Sequence, residues 1–381
     1  MSEAREYQHI GQRTIRPDGF DKVTGKANYG ADLSLPGMIW GAILRSPHAH
    51  AKITALDVSQ AEAHPDVFAV ATYQDFPSVN AEALATGTAR KDLVDTAANV
   101  LADTKVLYHG HAIAAVAART EAAAEAALDL ITVAYDVMDP VLTIDAAIKD
   151  GAPVLHDDMM TQGLAEPASV ASNIAARMEL KKGDVAVGFA DADVIVERAY
   201  ETPTVHQGYI EPHATTVRFD DNGPSMIWCP TQGHFDVRAR VAQLLNMELG
   251  QIKVVASEIG GGFGGKTTVY LEPVALILSK KSGRPVKMTM SREDVFRASG
   301  PASASQSTVK IGAKSDGTIT AMQASLHYEA GAFKGSPMGP GCMTIFTPYD
   351  VENMYVEGFD VVVNKPKAAA YRAPGAPQAE F

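Results

Sequence analysis

Hydrophobic and polar positions change period several times along the 381 residues. MIWGAILRS (38–46) reads as a strand, and AKITALDVS (51–59), alternating with a period of two, as another. Residues 59–63 predict a short helix, and DVFAVATYQDF (66–76) a further strand and turn. VLYHGHAIAAVAA (106–118) reads as paired strand material around Gly110. Thr120 is placed to cap a helix over TEAAAEAALDLI, and TVAYDVM follows as a strand. Residues 20–138 therefore predict one α+β unit of ordinary domain size.

Residues 139–182, broken by Pro140, Pro153 and Pro167, predict a linker crossing a surface. From residue 183 to 381 strand and helix alternate again. DADVIVERAYET, TTVRFD, SMIWCP and QIKVVAS (251–257) predict strands, and HFDVRARVAQLLN (234–246) an amphipathic helix. Residues 267–282 predict a helix despite Pro273. RPVKMTMS, STVKIGAKSDGTITAMQASLHYEAG and VEGFDVVVN add strands, with Ser315-Asp316-Gly317 as a hairpin turn. The pattern is α/β (α+β), in a smaller and then a larger block. The turn-rich ending AYRAPGAPQAEF suggests a chain that is part of a longer unit.

Composition narrows the function classes. With 33 Lys and Arg against 45 Asp and Glu, the net charge of −12 argues against a nucleic-acid binder, which needs clustered basic surface. Two cysteines, Cys229 and Cys342, are too few for a disulfide framework, a zinc cage or an iron–sulfur cluster. The opening MSEAREYQHI lacks the apolar core of a secretory signal, and no run of 18 apolar residues offers a membrane span. A cytoplasmic protein is the expectation.

The strongest local signal is IGGGFGGKT (259–267), between a predicted strand and a predicted helix. Gly260-x4-Gly265-Lys266-Thr267 satisfies the pattern of a phosphate-binding P-loop, so a nucleoside triphosphatase is one reading. Two features oppose it: no apolar strand ending in Asp follows to hold Mg²⁺, and Phe263 puts a large ring where a phosphate must be wrapped closely. A tight glycine turn without a ligand is the bland alternative. The residues favour a loop that lets backbone N–H groups approach an anion or oxo ligand.

Four segments taken together give this chain a resemblance to a known family: 21–53 (DKVTGKANYGADLSLPGMIWGAILRSPHAHAKI), 208–217 (GYIEPHATTV), 229–266 (CPTQGHFDVR with EIGGGFGGK) and 369–381 (AAYRAPGAPQAEF). It resembles the molybdenum-binding large subunit of the xanthine oxidase/aldehyde oxidoreductase family, the molybdenum hydroxylases. The resemblance implies a small α/β hammerhead domain followed by the first part of a larger cofactor-binding domain. It implies molybdenum held by a molybdopterin, in many members a cytosine dinucleotide, with no side chain on the metal. It also implies hydroxylation of an N-heteroaromatic or an aldehyde with water-derived oxygen. Electrons would leave through a [2Fe–2S] subunit and an FAD subunit.

Residue by residue, Gln232 matches the family glutamine that hydrogen-bonds the apical oxo ligand, and Arg372 an arginine beside the metal centre. Phe263 and Gly264 match loop residues packed under the cofactor, with Gly262 and Gly265 permitting the close approach. Thr267, Pro301 and Pro374 stand where xanthine-type members carry Glu, Arg and an aromatic, so they are candidates to shape a different substrate pocket. Ala373 replaces the cysteine of copper-binding carbon monoxide dehydrogenases, which argues against CO oxidation. The family's general-base glutamate falls outside these residues. That implies either a fragment, inactive without its C-terminal half, or a split subunit completed by a separate C-terminal molybdopterin-binding chain. A non-catalytic scaffold half is the remaining alternative.

Overall fold

The computed structural model describes residues 7–79, 83, 85 and 90–381. The first six residues, part of the stretch that carries the expectation of no secretory signal, lie outside it. Six strands come from the first block: β1 (Ile39–Arg45), β2 (Ala51–Asp57), β3 (Val67–Thr72), β4 (Lys105–Val106), β5 (Ala112–Ala118) and β6 (Thr132–Val137). Nine follow: β7 (Ile174–Lys182), β8 (Val194–Thr202), β9 (Ala214–Arg218), β10 (Ser225–Cys229), β11 (Ile252–Ala256), β12 (Val286–Thr289), β13 (Ser305–Ala313), β14 (Ile319–Gly331) and β15 (Met354–Val362).

They form three sheets, and the largest ignores the boundary between the two sequence blocks. Its order is β11-β10-β9-β12-β1-β5-β3, so strands from both blocks share seven-stranded pairing. The seam is the parallel pair β1 and β12, with Ile39 opposite Val286 and Gly41 opposite Met288. A side chain at Gly41 would strike Met288, its Cβ 2.7 Å from that residue's Cγ. A second sheet, β7-β15-β14-β13-β8, and a third, β4-β2-β6, complete the framework.

Strand β5 is buried over its whole length. Its small residues split between two cores by the period-two rule. Ala114, Val116 and Ala118 pack with Ala124 and Ala127 of the helix Glu121–Leu128. Ala115 and Ala117 face the core that contains Val274 and Leu278 of the helix Glu272–Ser282. Thr120 caps the first of these helices, its side chain accepting from Ala123 N–H.

Several expectations need correction. The 106–118 stretch is not a self-paired hairpin: β4 pairs with β2, while β5 joins β1 and β3 in another sheet. The helix expected from 267 begins only at Glu272, with Pro273 in its first turn, where a missing N–H costs nothing. Residues 174–182, expected as linker, form strand β7 at the edge of the second sheet. The helices Lys91–Val100 and Arg292–Ala298 were not expected at all; the second has a full capping box from Ser291 and Asp294. The turn at Ser315-Asp316-Gly317 does join β13 to β14, with Lys314 N–H donating to Thr318 O at 2.8 Å.

Candidate functional site

Strands β10 and β11 run parallel, Cys229 opposite Ala256, so the chain leaves both at the same sheet edge. Ligand sites of α/β sheets open outside such carboxyl ends. Here the Pro230–Gln232 turn after β10 lies against the glycine loop after β11. Gln232 N–H donates to Lys266 O at 2.8 Å, and the Thr231 hydroxyl to the same oxygen at 3.0 Å.

The Gln232 side chain is oriented by the loop. Its Oε1 accepts from Gly264 N–H at 2.8 Å and from Lys266 N–H at 3.3 Å. With the oxygen taken by two donors, the amide NH₂ faces outward and donates to no protein atom among the described residues. Gly262 and Gly264 make this possible. A Cβ at Gly262 would lie 2.5 Å from Gln232 Oε1, and one at Gly264, where φ is +105°, 2.5 Å from Ala370 O. Gly265 sits under Tyr209 and Gln207 at 2.8 and 3.0 Å by the same measure.

Phe263 stands in the left-handed region at φ +52° with its ring about half exposed. Its carbonyl accepts from Arg372 N–H at 3.0 Å, which ties the late AYRAPG turn to the loop. Arg372 and Ala373 have positive φ as well, +20° and +57°, so backbone strain concentrates where the two turns meet. The structure thus brings Gln232, Gly262, Phe263, Gly264, Gly265 and Arg372 into one cluster.

The substrate-pocket candidates scatter. Thr267 donates to Gly264 O at 2.9 Å and lines a cavity of about 310 Å³ behind the loop. Pro301 is buried, its carbonyl accepting from Ala369 N–H, and Pro374 is half-buried in the strained turn; neither lines that cavity.

The loop is held from below by a pair that motif reading does not join. Lys266 is fully buried and its Nζ lies 2.8 Å from Glu211 Oε2. Glu211 also accepts from Gly260 N–H at 2.7 Å and Gly30 N–H at 3.1 Å. Gln207 was missed altogether: its Nε2 donates to Gly300 O and Ala370 O, while its buried Oε1 accepts from no described donor. The GYIEPH segment was the available signal, since it lies among the quoted motifs.

This geometry excludes the nucleotide reading. A P-loop lysine must be free to reach phosphate, and its helix must start at the Lys-Thr step. Here Lys266 is sealed against Glu211 and the helix starts five residues after Thr267, at Glu272. No group of three or more His, Cys, Asp or Glu able to hold a metal occurs among the described residues.

Comparison with known proteins supplies the rest. The molybdopterin cofactor-binding domain model matches residues 167–381, and the aldehyde oxidase and xanthine dehydrogenase a/b hammerhead domain model matches 24–139. The chain belongs to the molybdenum hydroxylase large subunits. Among relatives, the nicotinate dehydrogenase large molybdopterin subunit of Eubacterium barkeri is 32% identical over 98% of this chain and 84% of its own length. A probable xanthine dehydrogenase component of Bacillus subtilis is 34% identical over 96% of this chain and 47% of its own. A solved CO dehydrogenase from Oligotropha carboxidovorans superposes with a TM-score of 0.83 at 28% identity, over 95% of this chain and 45% of that one. The chain therefore spans about half the length of these last two proteins.

Proposed function

We propose that this chain carries part of the active site of a molybdenum hydroxylase that inserts water-derived oxygen into an N-heteroaromatic or aldehyde carbon. Electrons leave through [2Fe–2S] and FAD partner subunits. The observation that carries this reading is the fixed orientation of Gln232. A primary amide whose oxygen is pinned by two backbone donors can only donate outward, and an oxo ligand is the acceptor such a donor fits.

The residues fit molybdopterin in three further respects. The loop glycines, packed against Gln232, Ala370 and Tyr209, hold the Phe263 ring half exposed, an apolar face against which a flat cofactor can seat. Arg372 is exposed beside the loop carbonyl of Phe263 and supplies positive charge there. Among the described residues the site holds donors and no thiolate or imidazole cluster, as suits a metal bound by the cofactor's own sulfurs. When bound, the cofactor supplies metal-activated oxygen and takes up the electrons. Gln232 and Arg372 orient and polarise, and Lys266 with Glu211 keeps the loop in place. The general-base glutamate comes from outside these residues, from the rest of a longer chain or a separate C-terminal molybdopterin-binding chain; the roughly half-length match to relatives supports that division.

Gln232→Glu tests the assignment. Glutamate keeps an oxygen for Gly264 and Lys266 N–H but replaces the outward donor with an acceptor. In the assembled complex, turnover should fall by about 10²-fold, with molybdenum content and subunit assembly retained. Unchanged turnover removes Gln232 from the site.

A further inference from the structure

Two cavities lie side by side behind the loop and differ in how their charges are paired. The larger, about 510 Å³, is lined by Lys91, His156 and Asp158 among others, and its charges satisfy one another, Lys91 Nζ sitting 2.8 Å from Asp158 Oδ2. The smaller, about 310 Å³, is the one lined by Thr267. Its other walls include Tyr270 and Phe333, and the cations Arg240, Lys334 and Lys367.

Here the charges do not balance. Of the two acidic residues, Asp92 is held by Arg90 at 2.7 Å, and Asp95 is shared between Lys91 at 3.4 Å and Lys334 at 3.8 Å. Among the described residues no carboxylate oxygen lies within ion-pair distance of Lys367 or Arg240. The Lys367 ammonium donates to Lys334 O at 2.9 Å and lies against Gly335, where a Cβ would come within 3.2 Å of it. Burial lowers its pKa; Asp360 and, less strongly, Asp95 oppose this, and the like charge of Arg240 adds to it. Asp360 is already committed, accepting from Gly335 and Ser336 N–H at 2.8 and 3.0 Å. Two cations on one cleft, neither ion-paired among the described residues, favour an anionic ligand.

The cavity is walled by the two segments that continue into the glycine loop and the Arg372 turn. The segment from Lys367 runs through Ala368–Ala370, which line it, to Arg372, whose N–H meets the Phe263 carbonyl. Thr267 forms the wall on the loop side. An acid anchored at the cationic end would lie between the aromatic walls with its ring toward the glycine loop.

We propose that this cavity is the substrate pocket and that Lys367 and Arg240 bind the carboxylate of a small aromatic or heteroaromatic acid. The inference rests on the hydroxylase reading for what happens to the ring, and on the charge arrangement for the acid.

Equilibrium dialysis of the native complex against pyridine-3-carboxylate and, separately, the isosteric pyridine-3-carboxamide tests it. The acid should bind about tenfold or more tighter than the amide. Lys367→Met, and independently Arg240→Gln at the exposed rim, should each remove most of that preference while amide binding stays within about twofold, and Lys367→Arg should retain it. Equal binding of acid and amide, or a preference that survives both variants, overturns the proposal. So does inorganic phosphate binding at Lys367 that the acid does not displace. Molybdenum measured on the same sample separates the two readings. A Lys367-dependent preference in a preparation without molybdenum supports the carboxylate pocket and sinks the hydroxylase; molybdenum without the preference does the reverse.

Discussion

With its ammonium buried 2.8 Å from Glu211, Lys266 gives up its hydration and depends on the partners the fold supplies. Burial pulls its pKa down and Glu211 lifts it. Because Glu211 also accepts from Gly30 and Gly260 N–H, one carboxylate joins the first block, the GYIEPH segment and the glycine loop. Glu211→Ala should cost about 3–5 kcal/mol in urea unfolding, because it leaves a buried charge unpaired. The double variant Glu211→Ala with Lys266→Met should recover a large part of that loss; a purely additive result would deny the coupling. Gln232, the loop glycines and Arg372 were legible in the sequence because short motifs mark them. The Glu211–Lys266 pair was not, since 55 residues separate the partners and no local pattern records which distant carboxylate a lysine will meet.

Among the elements, the local sequence pattern located β1, β2, β5 and β6 but could not assign each to a sheet. That choice depends on long-range packing that a local pattern does not carry. His111, between β4 and β5, shows how tightly the pieces are joined. Its Nδ1 accepts from Leu107 N–H at 3.1 Å and its Nε2 donates to Ala98 O at 2.7 Å, at the end of the helix Lys91–Val100. This fixes the neutral tautomer, and burial lowers the pKa to about 4. Below an unfolded-state value of about 6.5 the unfolded chain takes up a proton that the native state refuses, so stability falls as pH drops from there toward 4. The His111 contribution to that loss is about 2 kcal/mol between pH 8 and pH 5. Denaturant midpoints across this range should therefore slope less steeply in His111→Gln than in the parent chain. Parallel slopes would show that His111 does not titrate as argued. The helix Lys91–Val100 carries its signal on a narrow stripe, Leu93, Ala97 and Val100 at helical spacing, with its other seven residues not buried.

At the scale of the molecule, two sequence blocks share one sheet and one core. Ile39, Ala69 and Ala117 lie in the same cluster as Val274, Leu278 and Val286. The hammerhead block has its own family model, yet β1 has β12 as its neighbour on one side. Residues 20–138 expressed alone should therefore lack the dispersed amide spectrum of a folded domain, and adding the remaining residues should restore it. A well-dispersed spectrum from the short piece would show that β5 and the helix Glu121–Leu128 suffice. The same seam bears on how the protein is made. Roughly 240 residues separate Arg45 from Val286, and at about 5–20 residues per second a ribosome needs on the order of 10–50 s to deliver the partner strand. Through that interval the nascent β1 edge is unpaired and open to wrong neighbours, which makes early chaperone capture a matter of translation speed.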